Sequence, residues 1–344
     1  MSFGTAARRQ QARFRDRLPL DARSPDDDVG RRNGHLLAHG HELQNLAPGI
    51  RAEALALFRS RRVPWWRSGR SGDRALPEGQ DLPTRNLASS QVACVNMLLP
   101  LAVAGEGKAP EADPLLALLR LLDPEAEAVW PVPDPDGLEP SRVEFEWVGW
   151  DRPVEGGPKN RGALQTSADA LLYGRRAGRP WAWIFEWKYV EEYLRPSDMG
   201  AGRSGQTRRR AYTPLYTHPD SAFRPDVPLD DFFWDPCYQL LRLRLLADRT
   251  TREGVAPHAP VAGATVVVVC PLANDDYRRP VATTPLARRF PDEPSVEGLM
   301  RRTLRDPEGL RFGASEALVE GMRRSGLGGV VPEWVAWHAG RYGW

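Results

Sequence analysis

The sequence predicts a mixed α/β fold, a mixed central sheet flanked by helices, and three observations carry that expectation. Apolar residues recur at helical spacing ahead of residue 100. Three segments between 142 and 190 switch to a period of two. A continuous apolar run, Ala264–Cys270, is bounded by Gly263 and Pro271, as a fully buried strand requires. The order helix, three tightly connected strands, helix, buried strand gives a sheet layered with helices. With 344 residues, 41% of them hydrophobic, the chain can bury a sizeable core. A net charge of +2 excludes both a polycation and an acidic tail protein. Cys94, Cys237 and Cys270 are too few and too scattered for a disulfide framework or a cysteine-rich zinc site. Met1–Leu18 is polar and arginine-rich, without the apolar stretch of a signal peptide. The longest apolar runs, Met97–Gly105 and Ala264–Ala273, are too short to span a bilayer, so a cytoplasmic protein is expected.

Residues 1–85 read as an arginine-rich extension. Within it, 1–50 form a loosely structured arm, a helix lies near Ala52–Arg61, Trp65 and Trp66 dock the arm or stack bases, and 69–85 are a Gly/Pro/Ser linker. Residues 86–275 form the core. Asn86 caps a helix over Leu87–Leu99, which Pro100 ends or kinks. Asp113-Pro114 opens a second helix, Leu115–Leu122, and Asp123-Pro124 closes it. After a proline-rich loop over 131–140, Arg142–Trp150 alternates, with Val143, Phe145 and Trp147 on one side and Glu144, Glu146 and Val148 on the other. Leu164–Tyr173 and Trp181–Val190 are the next two strands, joined by a hairpin turn over 174–180. Residues 194–230 form a long basic insertion with Arg203, Arg208, Arg209 and Arg210, read as a flexible phosphate clamp or a solvated loop. Asp235-Pro236 supplies the N-cap and first position of a helix to about Ala247. Residues 276–344 read as a mainly helical extension.

One constellation points to chemistry. Glu186 and Lys188 lie two apart on a strand and share a face, and a turn centred near residue 177 brings Asp169 opposite Glu186. Two adjacent carboxylates repel unless a cation compensates, and a hard divalent ion such as Mg²⁺ takes oxygen ligands. A lysine beside them can orient or help deprotonate water, or stabilise charge on a phosphate. Lysine occurs only at Lys108, Lys159 and Lys188, against 44 arginines. A lysine retained in such a chain suggests a task arginine performs poorly, that of a compact point charge. The same residue types also form ordinary cross-strand salt bridges on solvated faces.

The element order and the pattern Asp169…Glu186-Trp187-Lys188 resemble the PD-(D/E)XK nuclease superfamily, and more narrowly a group of bacterial restriction endonucleases. The matching segments are Asn86–Gln91, Phe145-Glu146, Thr166–Ala170, Phe185–Glu191, Tyr238–Arg242 and Arg341-Tyr342-Gly343. The chain departs from the family name in carrying Ala168 where the motif has proline. The resemblance implies a restriction-endonuclease-like αβββαβ core and a metal-dependent endonuclease acting on DNA, with a homodimer possible because such enzymes often cut both strands as dimers. It implies Mg²⁺, with Mn²⁺ as substitute, bound by Asp169, Glu186 and the main-chain carbonyl of Trp187, and Lys188 as catalytic lysine. Gln239 matches a polar residue on the following helix, where the first turn also favours an anion. Glu146 is a further candidate ligand; of Glu144 and Glu146 only one is expected to be central. Glu191 is a weaker candidate. The competing readings are a nucleic-acid-binding protein that lost cleavage and an α/β interaction protein whose Asp/Glu/Lys set is a salt bridge. His35, His39 and His41 lack a cysteine or carboxylate at zinc-site spacing.

Overall fold

The computed structural model describes residues 2–24, 28–66, 82–134, 137–156, 165–193 and 197–344. Most of the expected linker over 69–85, and half of the turn region 151–162, lie outside the described residues. The helices are α1 (Phe3–Arg15), α2 (Arg51–Ser60), α3 (Ser90–Ala104), α4 (Pro114–Leu122), α5 (Gly202–Tyr216), α6 (Cys237–Glu253), α7 (Val296–Thr303), α8 (Ser315–Arg324) and α9 (Val331–Tyr342), with shorter helical turns between them. The strands are β1 (Ala126–Trp130), β2 (Glu144–Trp147), β3 (Ala168–Arg176), β4 (Arg179–Trp187), β5 (Gly263–Val269) and β6 (Leu310–Gly313).

These strands form one mixed sheet in the order β1-β3-β4-β5-β6, and β2 pairs the remaining half of the β3 edge. The β3–β4 pair is antiparallel, whereas β4, β5 and β6 run parallel. The fold is therefore the restriction-endonuclease-like arrangement expected, α3-β2-β3-β4-α6-β5, widened by β1 and β6. Side-chain alternation feeds two cores. Trp183, Phe185 and Trp187 of β4 pack with α3, α4, α8 and α9, while Ala182 and Ile184 pack with α5, α6 and α7. The hairpin closes at Ala177-Gly178, both with positive φ (46° and 75°), the geometry that matches strand twist in a two-residue loop. Gly174 is needed because a Cβ there would meet the Ala128 carbonyl oxygen at 1.9 Å.

The structure corrects several expectations. The arm over 1–50 is not loose: α1 packs against α9 and buries Gln11. Ser89, not Asn86, caps α3, its hydroxyl accepting from the Val92 N–H at 3.3 Å; Asn86 closes a turn onto the Ala88 N–H at 2.9 Å. Pro100 neither ends nor interrupts that helix, which runs to Ala104 inside apolar packing. The basic insertion is not a loop throughout: its four arginines, Arg203 and Arg208–Arg210, lie on the helix α5. Pro236 occupies the N-cap of α6, and Asp235 gives no capping hydrogen bond. In β2 the alternation fails at Glu146, whose φ of +51° is left-handed. That one residue turns the strand over, so Val143 and Phe145 enter one core and Trp147 the other. Asp113 caps α4 as expected, accepting from Leu115 and Leu116.

Candidate active site

The hairpin register, in which Ala170 faces Phe185, carries Asp169 to the neighbourhood of Glu186. The Trp187 backbone N–H donates to Asp169 Oδ2 at 2.6 Å, fixing the carboxylate against the end of β4. The Trp187 indole points the other way, into the core. Lys188 follows β4 and is held by its N–H on the Val269 carbonyl at 2.8 Å, so the parallel strand β5 sets its position. Its Nζ lies 2.6 Å from Glu186 Oε1. Gln239, in the first turn of α6, donates from Nε2 to the same oxygen at 2.7 Å. Its side chain is thus committed to Glu186, and not to the free amides of the helix start.

Glu186 is 2% exposed and Lys188 6%. Such burial is incompatible with a solvated cross-strand ion pair. The group lines a cavity of about 1130 Å³ together with Asp169, Glu146, Trp66 and Gln91. Of the two glutamates on β2, Glu144 is turned away and held by Arg61 at 3.0 and 3.1 Å. Glu146 is the one at the cavity. Three donors from three segments converge on it: Trp66 Nε1 at 2.8 Å and Gln91 Nε2 at 2.9 Å on Oε1, and Ser167 Oγ at 2.7 Å on Oε2. They hold Glu146 despite its left-handed backbone. Sequence reasoning assigned no role to Gln91 or Ser167, although both lie in the segments that carried the resemblance.

The electrostatics are those of an acid-rich site with too few cations. Burial, and next the Glu186 carboxylate, push the Asp169 carboxyl well above its ordinary range. Burial also raises Glu186, with Lys188 opposing. Burial raises Glu146, while its hydrogen bonds to Ser167, Trp66 and Gln91 oppose. For Lys188 burial alone would favour the neutral amine, but Glu186 and its neighbours outweigh it and hold the ammonium well above its ordinary value. Paired with Glu186, Lys188 brings a positive charge to the site.

The basic residues of the insertion are not equivalent. Arg208 lines the cavity, with Nη1 on the Met199 carbonyl at 2.6 Å and its guanidinium over the Tyr238 ring. Arg209 is drawn aside by Asp230 at 2.7 Å and the Gly200 carbonyl at 3.1 Å. Arg203 and Arg210 do not line the cavity. Arg242, unassigned from sequence, does: its Nε donates to Thr166 Oγ1 at 3.0 Å and lies 3.4 Å from Glu155. Glu191 lines the cavity too, its Oε2 accepting from the Tyr189 N–H at 2.6 Å. The two tryptophans divide: Trp65 stacks on Phe58 with centroids 3.8 Å apart, whereas Trp66 stands at the cavity, 42% exposed.

Among the described residues no three His, Cys, Asp or Glu side chains form a ready metal centre, the histidines 35, 39 and 41 included. The oxygen donors at Asp169 and Glu186 nonetheless suit a hard divalent cation. They face a cavity; burial raises both, and the Glu186 carboxylate raises Asp169 further, a cost that such a charge would relieve.

No helix among the described residues is long and apolar enough to cross a membrane. A sequence profile of the family described as restriction endonuclease associating with ARP matches residues 27–343, and the chain belongs to that family. No curated protein and no solved structure matches the chain.

Proposed function

With that family membership as premise, we propose that the protein is a Mg²⁺-dependent nuclease that hydrolyses phosphodiester bonds of DNA. The observation that carries this reading is the Asp169–Glu186–Lys188 group, buried at its base and open to a cavity at Asp169. Asp169, Glu186 and the Trp187 carbonyl would hold the cation, with Glu146 beside them. The cation supplies Lewis-acid chemistry, drawing charge from a phosphate oxygen and making water more acidic. The chain's own residues do the rest. Lys188, held as an ammonium, stabilises negative charge growing on the phosphate. Gln239 fixes the orientation of Glu186. Trp66, Gln91 and Ser167 keep Glu146 facing the cavity, and Arg208 and Arg242 place positive charge along its wall.

The test is cleavage of supercoiled, linear, single-stranded and branched DNA with Mg²⁺ or Mn²⁺. Wild type runs beside Asp169→Asn and Lys188→Ala. Cutting that stops with chelator and in both variants, while their circular dichroism stays native, supports the proposal. Cutting that survives in either variant refutes it. DNA binding in chelator without cutting on any substrate would favour a binding protein that has lost cleavage.

A further inference from the structure

The cavity contains a cation that neither the motif nor the family match covers. Arg8, on α1, lines it, and the matched residues, 27–343, do not include α1. The helix presents Gly4, Ala7 and Gln11 to the core, and Arg8 sits at the edge of that buried face. Gln11 is fully buried and docks the helix. Its Nε2 donates to the Tyr189 hydroxyl at 2.8 Å and to the Arg341 carbonyl at 3.1 Å. Tyr189 is the residue after Lys188, so α1 is registered directly on the segment after β4 that carries the lysine.

The other cations of the cavity are committed. Lys188 is paired with Glu186, Arg242 with Thr166 and Glu155, and Arg208 with the Met199 carbonyl and the Tyr238 ring. Arg8 makes no hydrogen bond or ion pair with the described residues, and Glu192 on the same rim takes Ser2 Oγ at 3.3 Å. A guanidinium has five N–H donors in a planar fork, the shape that grips a phosphate through two oxygens. A strand entering an acid-lined cavity needs such a counter-charge.

We infer that Arg8 binds a phosphate of the nucleic-acid strand in the cavity, which makes α1 part of the substrate site. The inference rests on the nuclease reading and adds a binding residue outside the segment that reading came from. The experiment measures binding of a fluorescent oligonucleotide in chelator over a salt series, and cleavage kinetics with Mg²⁺. Arg8→Ala and Arg8→Lys are compared with Arg13→Ala, an exposed arginine on α1 away from the cavity. Arg8→Ala should weaken binding and raise KM roughly tenfold, with kcat little changed. The slope of log affinity against log salt should fall by about 0.7–0.9, the loss of one phosphate contact. Arg8→Lys should recover part of the affinity and Arg13→Ala should match wild type. An Arg8→Ala variant indistinguishable from Arg13→Ala, in a protein that cuts, overturns the inference and leaves the nuclease reading standing. A wild type that neither binds nor cuts any nucleic acid overturns both.

Discussion

Glu146 can be either a member of the metal-binding set or an acceptor that holds the cavity wall together, and two substitutions separate these roles. Glu146→Gln removes the charge but keeps an oxygen where Trp66 Nε1 and Gln91 Nε2 donate; its amide then faces Ser167 Oγ, which can turn to accept. The variant keeps three hydrogen bonds and loses a charge that burial disfavours. Its stability should lie within about 1 kcal/mol of wild type. Glu146→Leu strands all three donors. At roughly 1–3 kcal/mol for each buried unsatisfied group, and less for the half-exposed indole of Trp66, the loss should reach about 2–5 kcal/mol. Urea unfolding at pH 7.5 reads both. A Mg²⁺ titration of the cleavage rate then reads the charge. If the carboxylate acts on the cation, Glu146→Gln should need 10–100 times more Mg²⁺, or cut that much more slowly, although it is folded. A Gln variant as unstable as the Leu variant would show that the three hydrogen bonds do not hold the cavity wall. A Gln variant that cuts at the wild-type rate with the wild-type Mg²⁺ requirement would remove Glu146 from the metal-binding set.

Three further predictions concern other parts of the molecule. Gln239→Leu removes one of the two donors on Glu186, leaving Lys188, and should weaken Mg²⁺ activation by about 10–100-fold at unchanged fold, seen as a shifted midpoint in the metal titration. Arg142 is buried on Asp113 and also donates to the Val129 carbonyl, so Arg142→Met should destabilise by roughly 3 kcal/mol in urea melts by leaving the buried Asp113 without its cation, held only by the Leu115 and Leu116 N–H groups. His338 is fully buried among Trp334, Trp337 and Tyr342, and burial lowers its pKa from 6.5 to about 3. It stays neutral in the fold while the unfolded chain takes up a proton below pH 6.5. Its contribution is therefore complete above that pH and is lost as pH falls toward 3, at about 1.4 kcal/mol per unit. The wild-type minus His338→Phe stability difference should shrink by roughly 2 kcal/mol between pH 7.5 and 5; an unchanged difference would show that His338 does not titrate this way.

What the sequence made legible was what short-range rules govern. The β3–β4 hairpin follows from a turn near Ala177-Gly178 and two runs of strand-forming residues, and its register alone brings Asp169 and Glu186 together. The all-apolar run of β5 and the Asp113-Pro114 start of α4 follow equally local rules. The rest depended on tertiary context. β1 and β6 are five and four residues long, too short for a periodic signal. The helix α1 buries a glutamine and small residues, so its polar sequence hides its docking face. Pro100 is tolerated within α3 because the packed core holds that helix on either side of it. The wall around Glu146 is drawn from residues 66, 91 and 167, which no sequence spacing relates. The left-handed turn at Glu146 is a local event that sends the next residue, Trp147, to the opposite face, and an alternation pattern cannot register it.

The docking of Gln11 also has a temporal meaning. Its second acceptor, the Arg341 carbonyl, lies 330 residues further along the chain. At a synthesis rate of about 5–20 residues per second, roughly 15–65 s pass between the emergence of α1 and that of the helix that clamps it. In the later part of that interval, once β4 has emerged, the nascent chain can form the hairpin bearing Asp169 and Glu186, yet the Arg341 half of the clamp on α1 has not been made. A half-made chain thus carries the acids and the lysine without a fixed Arg8, so full grip on a nucleic acid waits for the end of translation of α9.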